Sequence, residues 1–443
     1  MSYSNYEHYK NSGENNIGLI PLNWKVAKLY MLSKRYAGGT PDKNTPEYWE
    51  SGTVPWLNSG SVNQFLITTP SNYITSDALE KSSAKWVPKG ALLIALAGQG
   101  KTKGMVAQTS FDTTCNQSMA AIICRKIDSR YMLWWLVSQY ENIRGLSSID
   151  GRDGLNLEMI GGIKCPLPSR EEQKAIAAFL DKKTSAIDAL IEKKQKLIQL
   201  LEEKRSALIS QVVTKGLEPN VPMKDSGINW LGKIPENWKV KRLKYVITYN
   251  DESLPETTRP DRIINYVDIS SVSLVHGIEN VDRYEFDQAP SRARRIVRDG
   301  DTILSTVRTY LKAIALIKGD IENLIVSTGF MVIRPTPKID SIFLNYFMQS
   351  EAFIGEIVAR SVGVSYPAIN PSEVAKIESV IPPLNEQRHI AMFLDKKTSE
   401  IDKIKVKIET LIALLREYRS ALITNVVTGR IGLQNYSEKM VSV

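Results

Sequence analysis

Two long stretches carry apolar residues at helical spacing. Between 170 and 215, with no glycine or proline, Leu180, Ile187, Leu201 and Leu208 share one seven-residue register, with Leu190 and Leu197 on a companion register. Toward the end of the chain, Leu394, Ile401, Ile408, Leu415 and Leu422 take the first register, and Ile390, Ile404, Leu411 and Tyr418 the companion. This is the pattern of coiled-coil helices, whose apolar seam is covered by a facing helix. Ser169 followed by Glu172, just after Pro168, is a capping-box start for the first helix. About 40 residues at 1.5 Å each make a helix roughly 60 Å long, and the two seams can pair with each other within one chain. Elsewhere short β-rich runs (ALLIAL, MAAIIC, DTILST, FMVIR) alternate with glycine and proline, and helices are expected near 130–143 and 340–359.

The chain also repeats itself. IPLNWKV from Ile20 returns as IPENWKV from Ile234, and FLDKKTS from Phe179 returns unchanged from Phe393, both at an offset of 214. Over 171–215 the repeat keeps 27 identities in 45 positions, so the helices are near-duplicates. The segments 30–165 and 245–379 align only in fragments, such as WVPKGALLI from Trp86 against IVRDGDTIL from Ile296. Each half therefore joins a variable body to a duplicated helix. The resulting division is a first body at 1–165, a central coiled-coil helix at 166–223, a second body at 224–379, a C-terminal coiled-coil helix at 380–430 and a tail at 431–443. The fold class is α/β (α+β), a tandem repeat whose antiparallel helices imply pseudo-twofold symmetry.

Composition narrows the function. With 43% hydrophobic and 24% charged residues the chain is an ordinary globular one. Its longest apolar runs, ALLIALA and YMLWWLV, are too short to span a membrane. The first sixteen residues lack the apolar core of a signal peptide, and three widely spaced cysteines build no disulfide framework, so a cytoplasmic location is expected. A net charge of +9 favours a polyanionic partner, and three histidines without paired cysteines make a zinc site an unattractive reading.

Two glycine-rich readings compete for one loop. ALAGQGKT at 95–102 resembles a P-loop, in which backbone amides at a helix start cradle phosphates. The following KGMVAQTSF favours a strand, however, and the second half has STVRTYLKA in the corresponding place. A P-loop nucleotide-binding protein is the alternative that this loop keeps open, and a coiled-coil scaffold without DNA function is a third. An S-adenosylmethionine loop fails for want of the tetrapeptide that holds an extruded base. Basic residues cluster instead at corresponding places. Lys81, Lys85 and Lys89 precede a first-body strand and Lys101, Thr102 and Lys103 follow it, while Arg292, Arg294, Arg295 and Arg298 precede its counterpart and Arg308, Tyr310 and Lys312 follow. As a set they describe a DNA-facing edge on which Arg and Lys hold phosphates and Gln99, Asn116 or Arg308 reaches base edges. The helices repeat polar as well as apolar residues: Asp181, Lys182, Thr184 and Asp188 match Asp395, Lys396, Thr398 and Asp402. A seam alone needs only the apolar ones, so these eight are expected to bind a partner twice.

Two variable bodies, each followed by a duplicated long helix, together with GGTPDKNTPEYWESGTVPWLNSGSV from Gly38, CNQS from Cys115, STVRTYLKA from Ser305 and the PLPSREEQ and PPLNEQR helix starts, resemble the specificity subunit of Type I restriction-modification enzymes. The resemblance implies two target recognition domains, each reading one half of an asymmetric bipartite site in double-stranded DNA, with the helices as spacer and docking surface. It implies a non-catalytic chain without a cofactor of its own. S-adenosylmethionine, ATP and Mg belong, on this view, to two methyltransferase subunits that modify adenine and to restriction and translocase subunits.

Overall fold

The computed structural model describes residues 6–98, 100–149, 154–319 and 322–433. The chain divides into two compact units, residues 1–193 with 411–443, and residues 194–410. Each unit holds one body, a stretch of the central helix (Arg170–Lys215) and a stretch of the C-terminal helix (Leu384–Val427).

In the first unit, a five-stranded sheet runs in the order Ser33–Ala37, Met119–Cys124, Leu92–Ala95, Val106–Thr109, Leu66–Ile67, and a three-stranded sheet in the order Thr114–Cys115, Val54–Leu57, Asn72–Ile74. The second unit repeats this plan. One sheet runs Ile247–Tyr249, Phe330–Pro335, Thr302–Ser305, Ile314–Leu316, and the other runs Asp282–Glu285, Ile263–Val267, Leu324–Ser327, Ala293–Ile296. Registers agree in detail, since Leu92 faces Gln108 as Thr302 faces Leu316. Bodies that align only in fragments as sequences thus share seven strands in one order, to which the first unit adds Leu66–Ile67 at the edge of one sheet and the second unit Ala293–Ile296 at the edge of the other.

A second β ribbon ties each body to its helix. Lys25–Lys28 pairs with Lys164–Leu167, and Lys239–Arg242 with Glu378–Ile381, both antiparallel. The expected capping box is present, with the Ser169 amide donating to Glu172 at 3.0 Å and the Glu172 amide to Ser169 Oγ at 3.2 Å. One residue further on, the buried Gln173 donates to the Pro168 carbonyl and accepts from the Asp128 amide, and Gln387 does the same with Pro382 and Asp340. Asp128 and Asp340 are the N-caps of Ser129–Ser138 and Ser341–Gln349. The EEQ and NEQ starts therefore clamp a body helix to a long helix. Each helix expected in the bodies is two, Ser129–Ser138 with Tyr140–Ile149 and Ser341–Gln349 with Glu351–Arg360. Buried Trp24, Trp134, Trp135 and Phe179 fill the first core, and Trp238, Phe343, Phe347 and Phe353 the second.

The seam differs from the expected one in its companion register. On the central helix, Leu180, Thr184, Ile187 and Ile191 turn inward in the first unit, and Ile198, Leu201, Arg205, Leu208 and Val212 in the second, whereas Leu190 and Leu197 are exposed. On the C-terminal helix Thr398, Lys405, Ile412, Arg419 and Val426 accompany the first register; of the expected companions Ile390 is buried, whereas Ile404, Leu411 and Tyr418 are exposed. The reason is charge pairing, because Arg and Lys stems pack inward where a carboxylate meets the head. Arg419 donates to both oxygens of Asp188, at 2.8 and 3.1 Å, in the first unit. In the second, Arg205 lies 3.5 Å from Asp402 and Lys405 2.5 Å from Glu202, which sets the two segments antiparallel. Shifting by 214 turns Asp188 with Arg419 into Asp402 with Arg205. Among the described residues no helix is long and apolar enough to cross a membrane.

Candidate nucleic-acid interface

The glycine-rich loop is a hairpin turn. It joins two antiparallel neighbours, Leu92–Ala95 and Val106–Thr109, so no helix N-terminus is available for a phosphate cradle and the P-loop alternative fails. Gln99 lies outside the described residues. Lys101 is exposed and Thr102 half-buried, and Lys103 Nζ donates to Ser147 Oγ at 2.8 Å.

The basic residues on either side of each strand do not converge. Lys89 sits before Leu92–Ala95 and Lys101 beyond it, at opposite ends of the same strand. Lys81 pairs with Asp77 at 2.7 Å, and Lys85 is exposed. In the second unit Arg298 pairs with Glu252 at 2.6 Å, Arg294 stacks on Phe286 with 4.6 Å to the ring centre, and burial lowers the pKa of Arg295. Arg298, Arg294 and Lys81 thus have partners within the chain.

One end of each body is different. In the first unit, the Leu96 amide donates to the Ser118 carbonyl and the Asn116 amide to the Leu57 carbonyl, which joins the hairpin, the CNQS turn and the strand that leads to Asn58. Gly38 and Gly39 allow this closeness, since a Cβ at Gly38 would stand 2.2 Å from the Cys115 carbonyl oxygen and one at Gly39 2.3 Å from Ser83. A cavity of about 360 Å³ there is lined by Lys43, Trp49, Trp56, Asn58, Asn72 and Asn116. Asn116 Oδ1 is buried and without a hydrogen bond, an acceptor held ready for a donor. Trp56 is a buried anchor that donates to the Gly39 carbonyl at 3.2 Å.

In the second unit the Thr306 amide donates to the Gly329 carbonyl, and the loop 306–313 is fastened to 361–369 by Ile369 to Thr306 and by Thr309 with Ser361. Arg308 and Lys312 adopt left-handed backbone, with φ of 52° and 50°. Arg308 lies over the Tyr366 ring at 5.2 Å, and Tyr310, Lys312, Val362, Val364 and Tyr366 are exposed. Arg292 belongs to this end, paired with Asp268 at 3.1 Å. Burial opposes the Asp268 charge, but hydrogen bonds from Tyr266 and Ser270 and the Arg292 guanidinium outweigh it and hold the carboxyl below its ordinary range. Counting along the shared strands, Trp56, Asn58, Asn72 and Asn116 correspond to Tyr266, Asp268, Asp282 and Ser327. Sequence reasoning missed Asn58, Asn72, Asp268 and Tyr366, because only the fold brings these loops to one end.

The duplicated polar residues have partners inside the chain. Asp181 accepts from Arg130 and Trp134, each at 2.9 Å, and Asp395 from Tyr346 at 2.7 Å. Buried Thr184 and Thr398 bond back to Leu180 and Leu394 in their own helices. Asp188 and Asp402 are in the seam pairs, which leaves Lys182 and Lys396 exposed.

Residues 21–200 and 235–412 match the sequence model of the family described as Type I restriction modification DNA specificity domain. The Type I restriction enzyme MjaIX specificity subunit of Methanocaldococcus jannaschii is 26% identical over 452 residues, covering 95% of this chain and 96% of that protein. The MjaVIII specificity subunit of the same organism is 24% identical over 414 residues, 89% of this chain and 92% of the relative. The EcoR124I/EcoR124II specificity subunit of Escherichia coli is 30% identical over 165 residues, 36% of this chain and 40% of that protein. A chain solved in work on assembly and conformational transition of the type I R-M system shares the fold with a TM-score of 0.71 at 16% identity, covering 92% of this chain and 98% of its own length. The HsdS subunit from Thermoanaerobacter tengcongensis shares it with a TM-score of 0.53 at 15% identity, over 93% and 98%.

Proposed function

Because the chain belongs to the Type I restriction modification DNA specificity family, and so is the specificity subunit of a type I restriction-modification system, we propose that each body reads one half of an asymmetric bipartite site in double-stranded DNA. One observation carries this reading. A single fold presents different polar residues at the same end of its two copies, asparagines at 58, 72 and 116 against Asp268, Asp282, Ser327 and Arg292. Asparagine amides pair with adenine edges and arginine with guanine, so unlike sets select unlike sequences. The test is methylome sequencing of cells in which residues 30–165 are replaced by the body of a relative. One half of the methylated motif should change and the other stay; a change in both, or in neither, refutes the reading.

The long helices would set the spacing of the half-sites and dock two methyltransferase subunits, with restriction and translocase subunits completing the enzyme. In this assembly the partners bring S-adenosylmethionine, ATP and Mg, and this chain is non-catalytic. Exposed apolar residues support the docking. Leu190, Leu411 and Leu414 in one unit recur at the repeat offset as Ile404, Leu197 and Leu200 in the other, which suits two copies of one partner. Native mass spectrometry should find two methyltransferase subunits per chain, falling to one with Ile404→Glu; wild type with a single copy would contradict this.

A further inference from the structure

A cleft of about 1020 Å³ opens in the second unit between Ser341–Gln349, the C-terminal helix and the strand Ile314–Leu316. At the corresponding place in the first unit, side chains of the chain itself meet one another. There Arg130 donates to both oxygens of Asp181 at 2.9 Å and to Gln108 at 3.1 Å, and its guanidinium lies 4.6 Å from the centre of the Phe65 ring, which packs on Trp134 at 4.4 Å. Counted from the N-caps Asp128 and Asp340, Arg130 corresponds to Ile342 and Trp134 to Tyr346. Strand register matches Gln108 with Leu316, and counting from the caps Asn58 and Asp268 matches Phe65 with Val275. The filling residues are thus all replaced by smaller or apolar ones, while the aspartate, now Asp395, stays.

The cleft keeps the acceptors that a guanidinium would use. Asp395 is met by Tyr346 through one oxygen. Asn345 and Gln349, 6% and 7% exposed, line the cleft one helical turn apart, and their side-chain oxygens have no hydrogen-bond partner. Buried acceptors without donors are costly, so they mark a place where a donor is expected to arrive. Arg205 lines the cleft too, held against Asp402 at 3.5 Å, and Lys318, Lys403 and Lys407 would meet carboxylates flanking the incoming group.

We propose that this cleft is a receptor for an arginine side chain, presented by an acid-flanked segment of a partner protein, that takes the place Arg130 holds in the first unit. The inference does not depend on which DNA bases are read. It is tested on the full chain by fluorescence anisotropy with a labelled pentapeptide whose central arginine is flanked by glutamates. Saturable binding is expected, weakened at least about tenfold when citrulline replaces arginine. The variant Ile342→Arg with Leu316→Gln fills the cleft from within, and should lose peptide binding while keeping DNA binding and gaining thermal stability. Asn345→Leu with Gln349→Leu removes the unpaired acceptors without burying a charge, and should weaken the arginine peptide while leaving the citrulline peptide unchanged. Absence of saturable binding, equal binding of citrulline, or undiminished binding to the filled variant would each overturn the proposal.

Discussion

The two units agree where body meets helix and disagree where the loops gather. Trp24 donates to Glu172 as Trp238 does to Glu386, and Gln173 and Gln387 clamp the same pair of elements. At the loop-bearing end Asn58 and Asp268 still accept from the amide two residues on, but the side chains differ, and three asparagines stand against two aspartates, a serine and an arginine. Intrachain bonds account for the duplicated Trp, Glu, Gln and Asp residues, whose partners would be stranded by substitution. The ends carry fewer such obligations and are free to differ, as the proposed reading of two unlike half-sites requires. The cleft beside Asp395 is the exception, a framework position filled in one copy and open in the other.

The strongest way to break the symmetry is to delete residues 411–443. Leu422, Ile423, Val426 and Val427 are buried in the first unit, and losing buried aliphatic residues at about 2–5 kcal/mol each exceeds what a domain can spare. All three cysteines lie in that unit, and burial pushes the Cys115 thiol up to about 12. Iodoacetamide labelling at pH 8 should therefore be negligible in the intact chain and complete after deletion, while the contiguous unit 194–410 keeps its cooperative unfolding. A smaller asymmetry separates the two seam pairs. Asp402→Ala leaves a buried Arg205 and should cost about 1–3 kcal/mol, whereas Asp188→Ala beside the more exposed Arg419 should cost less than about 1 kcal/mol. Urea unfolding of both variants decides it, and equal costs would show that burial does not set the value. At the ends, Arg308→Ala should relax one base position of the second half-site by about 1–2 kcal/mol, read by competition binding with single-base variants. Uniform weakening would show that Arg308 grips the backbone alone. The smallest effect is acid sensitivity. The Asp268 carboxyl titrates lower folded than unfolded, so its stabilisation is complete above the unfolded pKa and is lost as pH falls through the folded one. Asn58 holds the equivalent place and cannot titrate. Discrimination at the second half-site should thus hold at neutral pH and fade on acidification before that at the first half-site.

The helices, the repeat and the capping box were legible because they rest on local spacing. The companion seam register was not, because leucine outranks arginine on any hydrophobic pattern, yet Arg205 and Arg419 face inward and Leu190 and Leu197 do not. Only the position of Asp402 and Asp188 on the facing segment makes that arrangement favourable. The same limit applied to the basic clusters: residues flanking a strand are close in sequence and end up at its opposite ends. Arg308, Tyr310 and Lys312 stay together because one short loop holds all three. Asn58, Asn72 and Tyr366 come from separate loops, and no spacing rule links them.

The hydroxyl of Tyr131 reaches the Val427 carbonyl at 3.3 Å, and that of Tyr9 reaches Gly429 at 3.2 Å. These bonds give the first unit an order of assembly in time. Its body leaves the ribosome early and waits, with part of its apolar surface uncovered, until the last stretch of helix is synthesised, whereas the second unit is one continuous segment and can close on its own. Contacts so distant along the chain form slowly. The body made first is therefore the one completed last, and the one most in need of protection from aggregation while translation continues.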